Sequence, residues 1–154
     1  MERTLILFKP DVLQRGLLGE IITRFEKKGL KIVGLKMLRM GPAVAKEHYA
    51  HLAAKPFYPG LEHFMTHHPV VAMAVEGVEA VEVGRKLAGA TNARKAEAGT
   101  IRGDFSNSTS RNVIHASDSL ETAQKEVARF FRGEELFDYG MALHEYFYAE
   151  DELK

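Results

Sequence analysis

The chain reads as an α+β protein, a ferredoxin-like sandwich with a four-stranded antiparallel sheet, helices packed on one face of it, and a long loop before the last strand. Three observations predict this. Strand-like apolar runs alternate with amphipathic helical segments, in the order strand-helix-strand, helix, strand-helix-strand, helix, tail. Two split strand-helix-strand units of this kind fold into such a sandwich. The length of 154 residues suits one core. Residues 1–154 are expected to form a single domain, with 133–154 as a C-terminal tail.

Each element has its own reason. Residues 3–9 carry the run Leu5-Ile6-Leu7-Phe8, apolar throughout as in a covered strand, and Lys9-Pro10-Asp11 stops it. Residues 17–28 place Leu18, Ile21, Ile22 and Phe25 at helical spacing, with Lys27 and Lys28 at the dipole's negative end and Gly29 as terminator. Residues 30–38 alternate apolar and basic side chains, as in a strand with one wet face. Gly41-Pro42 opens a helix to about residue 54, because Pro is tolerated in a first turn. The stretch 55–60 breaks it, and 61–67 is a short further helix.

Pro69 introduces the strand 70–75, followed by a helix over 78–87 that ends near Gly89. Residues 91–111 are rich in turn formers and read as a long ordered loop or lid, a kind of segment that is usually functional in a small domain. Residues 111–116 are the last strand. Asp118 or Ser119 caps a helix to Phe131; Asp118 with Glu121 would form a capping box. The tail holds Phe137, Tyr139, Tyr146, Phe147 and Tyr148, and so is expected to pack on its own body or on a neighbour.

Composition excludes several function classes. There is no cysteine, which removes disulfides, thiolate catalysis and cysteine-based zinc sites. Lysine plus arginine and aspartate plus glutamate both count 21, so bulk charge gives no case for coating nucleic acid or a membrane. No apolar run approaches the roughly 20 residues of a membrane helix. The first apolar run is too short for a signal-peptide core and lacks a cleavage site, which points to the cytoplasm.

The chemistry must then come from a site, because this fold hosts many functions. There is no GxxxxGK[ST] and no GxGxxG, so any phosphate would be held by dispersed cations. The candidates are Lys9, Arg85 and Arg102, with Thr91 adding a hydroxyl; taken singly, each of the three cations reads instead as a solvated charge. Each charge-assisted hydrogen bond contributes about 1.5–3 kcal/mol. His115 follows Val113-Ile114 on a strand and precedes a helix start. It is either a nucleophile or a polar core residue tucked under that helix. As a nucleophile it needs an acceptor on one ring nitrogen to leave a lone pair on the other, and Glu121 and Glu126 are within reach along the helix. His48 with His51, and His63 with His67, have the spacing of metal pairs, yet no third ligand stands at a telling distance. Phe57 and Tyr58, between two prolines, either stack on a base or plug the loop.

Taken together these residues resemble the nucleoside diphosphate kinases. Asn112-Val-Ile-His115-Ala-Ser117-Asp118 is similar to that family's N-x-x-H-[GA]-S-D pattern. Lys9-Pro10-Asp11, Gln14-Arg15-Gly16-Leu17, Phe57-Tyr58-Pro59-Gly60-Leu61, Pro69-Val-Val-Ala-Met and Gly99-Thr-Ile-Arg102-Gly-Asp-Phe105 also match, in order, from Glu2 to about Tyr139. The resemblance implies ping-pong transfer of a γ-phosphate from a nucleoside triphosphate such as ATP to a nucleoside diphosphate, through phosphohistidine on His115. It implies that Lys9, Tyr49, Arg102 and Asn112 surround the transferring phosphate and the ribose, and that Arg85 and Thr91 hold the outer phosphates. Leu52 and Phe57 would form the wall on which the base stacks, with Thr109 facing it and broad base tolerance as a result. Glu126 would orient His115, with Ser117 bonded to it. Mg²⁺ would sit on the nucleotide phosphates with no protein ligands expected.

It further implies a homo-oligomer, a hexamer favoured over a tetramer by the aromatic tail and the family-like length. Neither a membrane nor nucleic acid is expected as a primary partner. The chain departs from the pattern at His67-His68, where a small residue and glycine are usual, and at Ala93 and Ala98, where prolines are common. Thr109 stands where an aliphatic residue is frequent. The competing reading is a binding or regulatory module that keeps the pocket without turnover, against which the intact His115 and Glu126 argue. Transfer onto protein side chains is a third role that no sequence feature supports or excludes.

Overall fold

The computed structural model describes residues 1–153. Four strands form one sheet: β1 (Glu2–Phe8), β2 (Lys31–Leu38), β3 (Val70–Gly77) and β4 (Ile114–Ala116). Their order across the sheet is β2-β3-β1-β4, with every pairing antiparallel. A bulge at Val33 interrupts the register between β2 and β3.

Among the described residues seven α-helices surround it: α1 (Pro10–Gln14), α2 (Leu18–Lys27), α3 (Pro42–His48), α4 (Tyr58–His67), α5 (Ala80–Ala88), α6 (Ile101–Phe105) and α7 (Leu120–Phe130). They cover both faces of the sheet, not the single face expected. The reason lies in β1, where Leu5, Ile6, Leu7 and Phe8 are all fully buried. Alternate residues of a strand face opposite ways, so a run buried throughout needs a layer on each side. Ile6, Phe8, Val71, Met73 and Ile114 join α2, α5 and α6 in one core. Leu5, Leu7, Ala72 and Ala74 join α3, α4 and α7 in the other.

Several boundaries differ from the sequence expectation. Pro10 does not merely stop β1; it opens α1, with Asp11 in the first turn. The helix expected to about residue 54 ends at His48 and continues as a 3-10 turn over Ala50–Leu52. Helix α4 starts at Tyr58, because Pro59 suits a first turn as Pro42 does. The long loop contains a 3-10 turn, Ala93–Lys95, and all of α6. In α6 a Cβ at Gly103 would overlap the Glu97 carbonyl oxygen, so the loop closes on itself only with glycine there. Of the two alanine departures, Ala93 is buried and Ala98 exposed. The cap of α7 is Ser119, whose hydroxyl accepts the Thr122 N–H (3.1 Å); the Asp118–Glu121 box does not form.

The tail packs on its own body. The Phe137 N–H donates to the Val33 carbonyl (2.8 Å), and the Tyr139 hydroxyl donates to the Ile32 carbonyl (2.6 Å). The Tyr148 hydroxyl reaches the Gly29 carbonyl (3.3 Å).

Candidate active site

The last strand decides the geometry. Residues 111–116 were expected to be extended, but only Ile114–Ala116 pair with β1. Val113 adopts φ +63°, and the Ile114 N–H donates to the Asn112 carbonyl (2.8 Å), closing a γ-turn. A β-branched residue rarely takes a positive φ, so something must hold the turn. Asp11 does so: its Oδ2 accepts the Val113 N–H (3.1 Å), while the Val113 carbonyl accepts the Lys9 N–H (2.8 Å). Val113 itself is fully buried. The turn lifts Asn112 out of the sheet plane and ties it to Lys9, whose Nζ donates to Asn112 Oδ1 (2.6 Å).

Strand alternation then aims His115. Ile114 and Ala116 belong to the core under α5 and α6, so His115 faces the opposite side, paired in register with Leu7. There it meets α7. His115 Nε2 lies 2.8 Å from Glu126 Oε2, and Ser117 Oγ donates to the same oxygen (2.6 Å). Ser117 Oγ in turn accepts the Leu5 N–H (3.4 Å), which fixes the group to β1. Burial alone would raise the Glu126 pKa, but the His115 and Ser117 hydrogen bonds outweigh it and hold the carboxylate ionised. With Nε2 donating to a carboxylate, Nδ1 keeps the lone pair.

A second histidine, singled out in the sequence only as a metal-pair candidate, completes this group. His48 at the end of α3 is buried, and its ring meets that of His115 edge-on at 4.5 Å. Its Nδ1 lies 3.3 Å from an Arg129 guanidinium nitrogen, and Arg129 is itself paired with Glu47 (2.8 Å). Burial, then the neighbouring His115, pushes the His48 pKa down to about 3, so the ring is neutral. Ala45 and His48 share one buried stripe of α3, three residues apart, which is the signal that would have placed His48 inward. Asp11 and Arg129 are given no separate role by the sequence; Asp11 carries one signal, its place in the matching run Lys9-Pro10-Asp11.

These groups open onto one cleft of about 1180 Å³. Lys9, Tyr49, Leu52, Phe57, Arg85, Thr91, Arg102, Thr109, Asn112, His115 and Glu126 all line it, and Ser117 stands behind Glu126. Of the two neighbouring aromatics, only Phe57 faces the cleft. Phe57 is 55% exposed on the cleft wall, whereas Tyr58 is buried and donates its hydroxyl to Glu62 (2.8 Å). Asn112 Nδ2 donates to the Thr91 carbonyl (2.8 Å), joining the loop to the γ-turn.

The floor of the cleft is cationic and short of an anion. Burial, then Arg102, lowers the Lys9 pKa to about 8; burial, then Arg85, lowers that of Arg102 to about 10. Arg102 differs from the simple phosphate clamp expected of it. Its guanidinium already donates to the carbonyls of Gly89 (2.7 Å), Ile114 (2.7 Å) and Asn112 (3.3 Å), so it braces the floor as well as charging it. The Tyr49 hydroxyl is buried with no partner, and burial raises its pKa, so it remains a neutral donor.

For metals, His48, His115 and Glu126 are the one described trio whose ligand atoms lie within 4.8 Å of one another. Two imidazoles and a carboxylate already bonded to His115 and Ser117 do not suit Mg²⁺, which takes oxygen ligands in an octahedron. The exposed Asp118 carboxylate on the cleft is an oxygen donor of the right kind. His51 is exposed on the cleft and forms no pair with the buried His48. No helix among the described residues is long and apolar enough to cross a membrane.

A nucleophile-ready imidazole set by a carboxylate, beside a buried cationic floor and an aromatic shelf, defines a phosphotransferase. Comparisons with known proteins give the family. The model for nucleoside diphosphate kinase matches residues 2–136. A nucleoside diphosphate kinase of Rhodopirellula baltica is 50% identical, over 99% of this chain and 100% of its own length. One from Pyrococcus abyssi is 53% identical over 97% and 95%. A halophilic nucleoside diphosphate kinase from Halobacterium salinarum, solved in complex with CDP, superposes with a TM-score of 0.93 at 46% identity, covering 96% of this chain and 98% of that one. The chain belongs to the nucleoside diphosphate kinase family.

Proposed function

We propose that this phosphotransferase moves the γ-phosphate of a nucleoside triphosphate onto a nucleoside diphosphate through phosphohistidine at Nδ1 of His115. The observation that carries the assignment to Nδ1 is the 2.8 Å contact between His115 Nε2 and Glu126, which commits the other nitrogen to attack. The Nδ1 lone pair forms a bond to the γ-phosphorus as the bond to the bridging oxygen breaks, and the diphosphate leaves with that electron pair. Positive charge grows on the imidazole and is met by Glu126, itself held by Ser117. A second diphosphate then attacks the phosphorus through its terminal oxygen, and the N–P bond breaks back onto Nδ1.

Lys9, Arg102 and the unpartnered Tyr49 hydroxyl surround the transferring group in this reading, while Asn112 steers Lys9. Arg85 and Thr91, exposed at the rim, hold the outer phosphates. Leu52, Phe57 and Thr109 take the base by stacking and van der Waals contact, which tolerates every base. The CDP found on the Halobacterium salinarum relative fits a pocket of this kind. Mg²⁺ carried on the nucleotide would neutralise phosphate charge, with Asp118 as the side chain able to reach its waters.

The protein works in this proposal as one domain bearing the tail 133–154, as a homo-oligomer, hexameric in preference to tetrameric, in the cytoplasm. The exposed Leu35 and Met37 on the edge strand β2 supply an apolar face for a second copy.

The test is labelling with γ-labelled ATP. Wild type should acquire acid-labile, alkali-stable label, and His115→Ala should not. Folded wild-type protein that binds nucleotide but never becomes labelled would instead be a binding module.

A further inference from the structure

The histidines of α4 lie outside this machinery, and they stand together. His63 and His67 are one helical turn apart, both exposed, with ring centroids 4.1 Å apart and planes tilted by 36°. His68, also exposed, places its ring edge-on to His67 at 5.9 Å. The rings are not splayed into solvent in different directions. Helix α4 turns Tyr58 and Met65 inward, and Leu61 and Phe64 toward the cleft, so positions 63 and 67 share its outer face.

We propose that His63 and His67 form a surface site for a divalent transition-metal ion of the zinc, nickel or copper class, with His68 beside it as a further imidazole donor. Two histidines at i and i+4 on one helical face present nitrogens that a single ion can bridge. Imidazole suits these ions and does not suit Mg²⁺, so the site is chemically separate from any ion that enters with nucleotide. The cost of assembly is small. The helix already brings the rings together, and only side-chain rotations are needed to turn their nitrogens onto one ion. Arg39, which approaches from the end of β2, donates to the His67 carbonyl (3.2 Å) and not to its ring. The ion would fasten the last turn of α4 just before Pro69 and β3, and would therefore stabilise the folded state by mass action.

The experiment is calorimetric titration of the nucleotide-free full chain with ZnCl₂, well above the ordinary imidazole pKa, for wild type, H63A, H67A and H115A. The side chains at 63 and 67 are exposed, so both variants should fold, which circular dichroism checks. One equivalent of Zn²⁺ binding is expected to disappear in H63A and likewise in H67A, and to survive in H115A. Retention of the untagged protein on nickel-chelate resin should be lost in the same two variants. Titrations of H63A and H67A that match wild type overturn the proposal. So does loss of all binding in H115A, which would put the ion in the His48, His115 and Glu126 group instead.

Discussion

At the scale of single residues, the cleft is a set of groups whose ordinary chemistry is displaced by burial. In the proposed reaction Glu126 contributes by charge and position, not by binding nucleotide. Glu126→Gln keeps the shape but removes the charge that meets the developing imidazolium. A charge-assisted hydrogen bond of about 1.5–3 kcal/mol corresponds to a fall in kcat of roughly ten- to a hundredfold. Nucleotide affinity should change little, so steady-state kinetics should show the loss in kcat and not in KM. A comparable loss in both would contradict the orienting role. Lys9 gives a second expectation. Its folded-state pKa of about 8 lies below the ordinary 10.5, so the unfolded chain binds the extra proton between those values and stability rises with pH across that window. The cation costs the empty protein about 3 kcal/mol at neutral pH. A bound phosphate removes that cost by pairing with the ammonium. Nucleotide binding at pH 8.5 should therefore take up a proton, and at pH 6.5 it should not. Calorimetry in buffers of different ionisation enthalpy measures this. Uptake that is equal at both pH values, or that persists in Lys9→Met, would exclude Lys9 as its source.

At the scale of elements, the γ-turn before β4 is the joint on which the site depends. It was invisible in the sequence. Val113-Ile114 reads as ordinary strand, because β-branched residues favour extended backbone and nothing local signals a positive φ. The force that bends it comes from Asp11, about a hundred residues away in sequence and adjacent in space. Long-range contacts of this kind explain the other misreadings as well. The spacing of His48 from His51 is a local signal, while its partners, Arg129 and Glu126, lie on α7. The elements with strong local signals were legible: the buried run of β1, the amphipathic stripe of α2, and proline-initiated α3. Pro10 and Pro59 read as breaks in the sequence because a proline ends one element and opens the next by the same fixed φ, and both open helices. Asp11→Ala should show what the joint contributes. It leaves the buried Val113 N–H without an acceptor, at a cost of about 1–3 kcal/mol. Urea unfolding should show a lower midpoint at unchanged slope. Labelling of His115 should slow as well, because Asn112 and Lys9 lose their fixed register. A variant as stable as wild type would mean that the turn holds without Asp11.

At the scale of the whole molecule, the site and the open edge of the sheet lie on opposite sides. The cleft is lined by Lys9 just after β1 and by β4, α3, α4, α5, α6 and α7, whereas β2 closes the far edge of the order β2-β3-β1-β4. The tail bonds to Ile32 and Val33 and pairs Glu135 with Lys36 (2.6 Å). Leu35 is left 49% exposed and Met37 61% exposed. An uncovered edge strand with exposed apolar side chains is a template for pairing with another chain. For the proposed hexamer, light scattering should give a mass of six times the 17.2 kDa of one chain. Met37→Glu, or Leu35→Glu, puts a charge where two copies would meet and should lower that mass. Because neither residue touches the cleft, the smaller species should still accept label at His115. A Met37→Glu protein of unchanged mass would show that β2 is not a subunit face. Loss of labelling together with loss of mass would show instead that the cleft needs its neighbours to stay formed, which would tie the long loop over residues 91–111, on the cleft side, to the assembly.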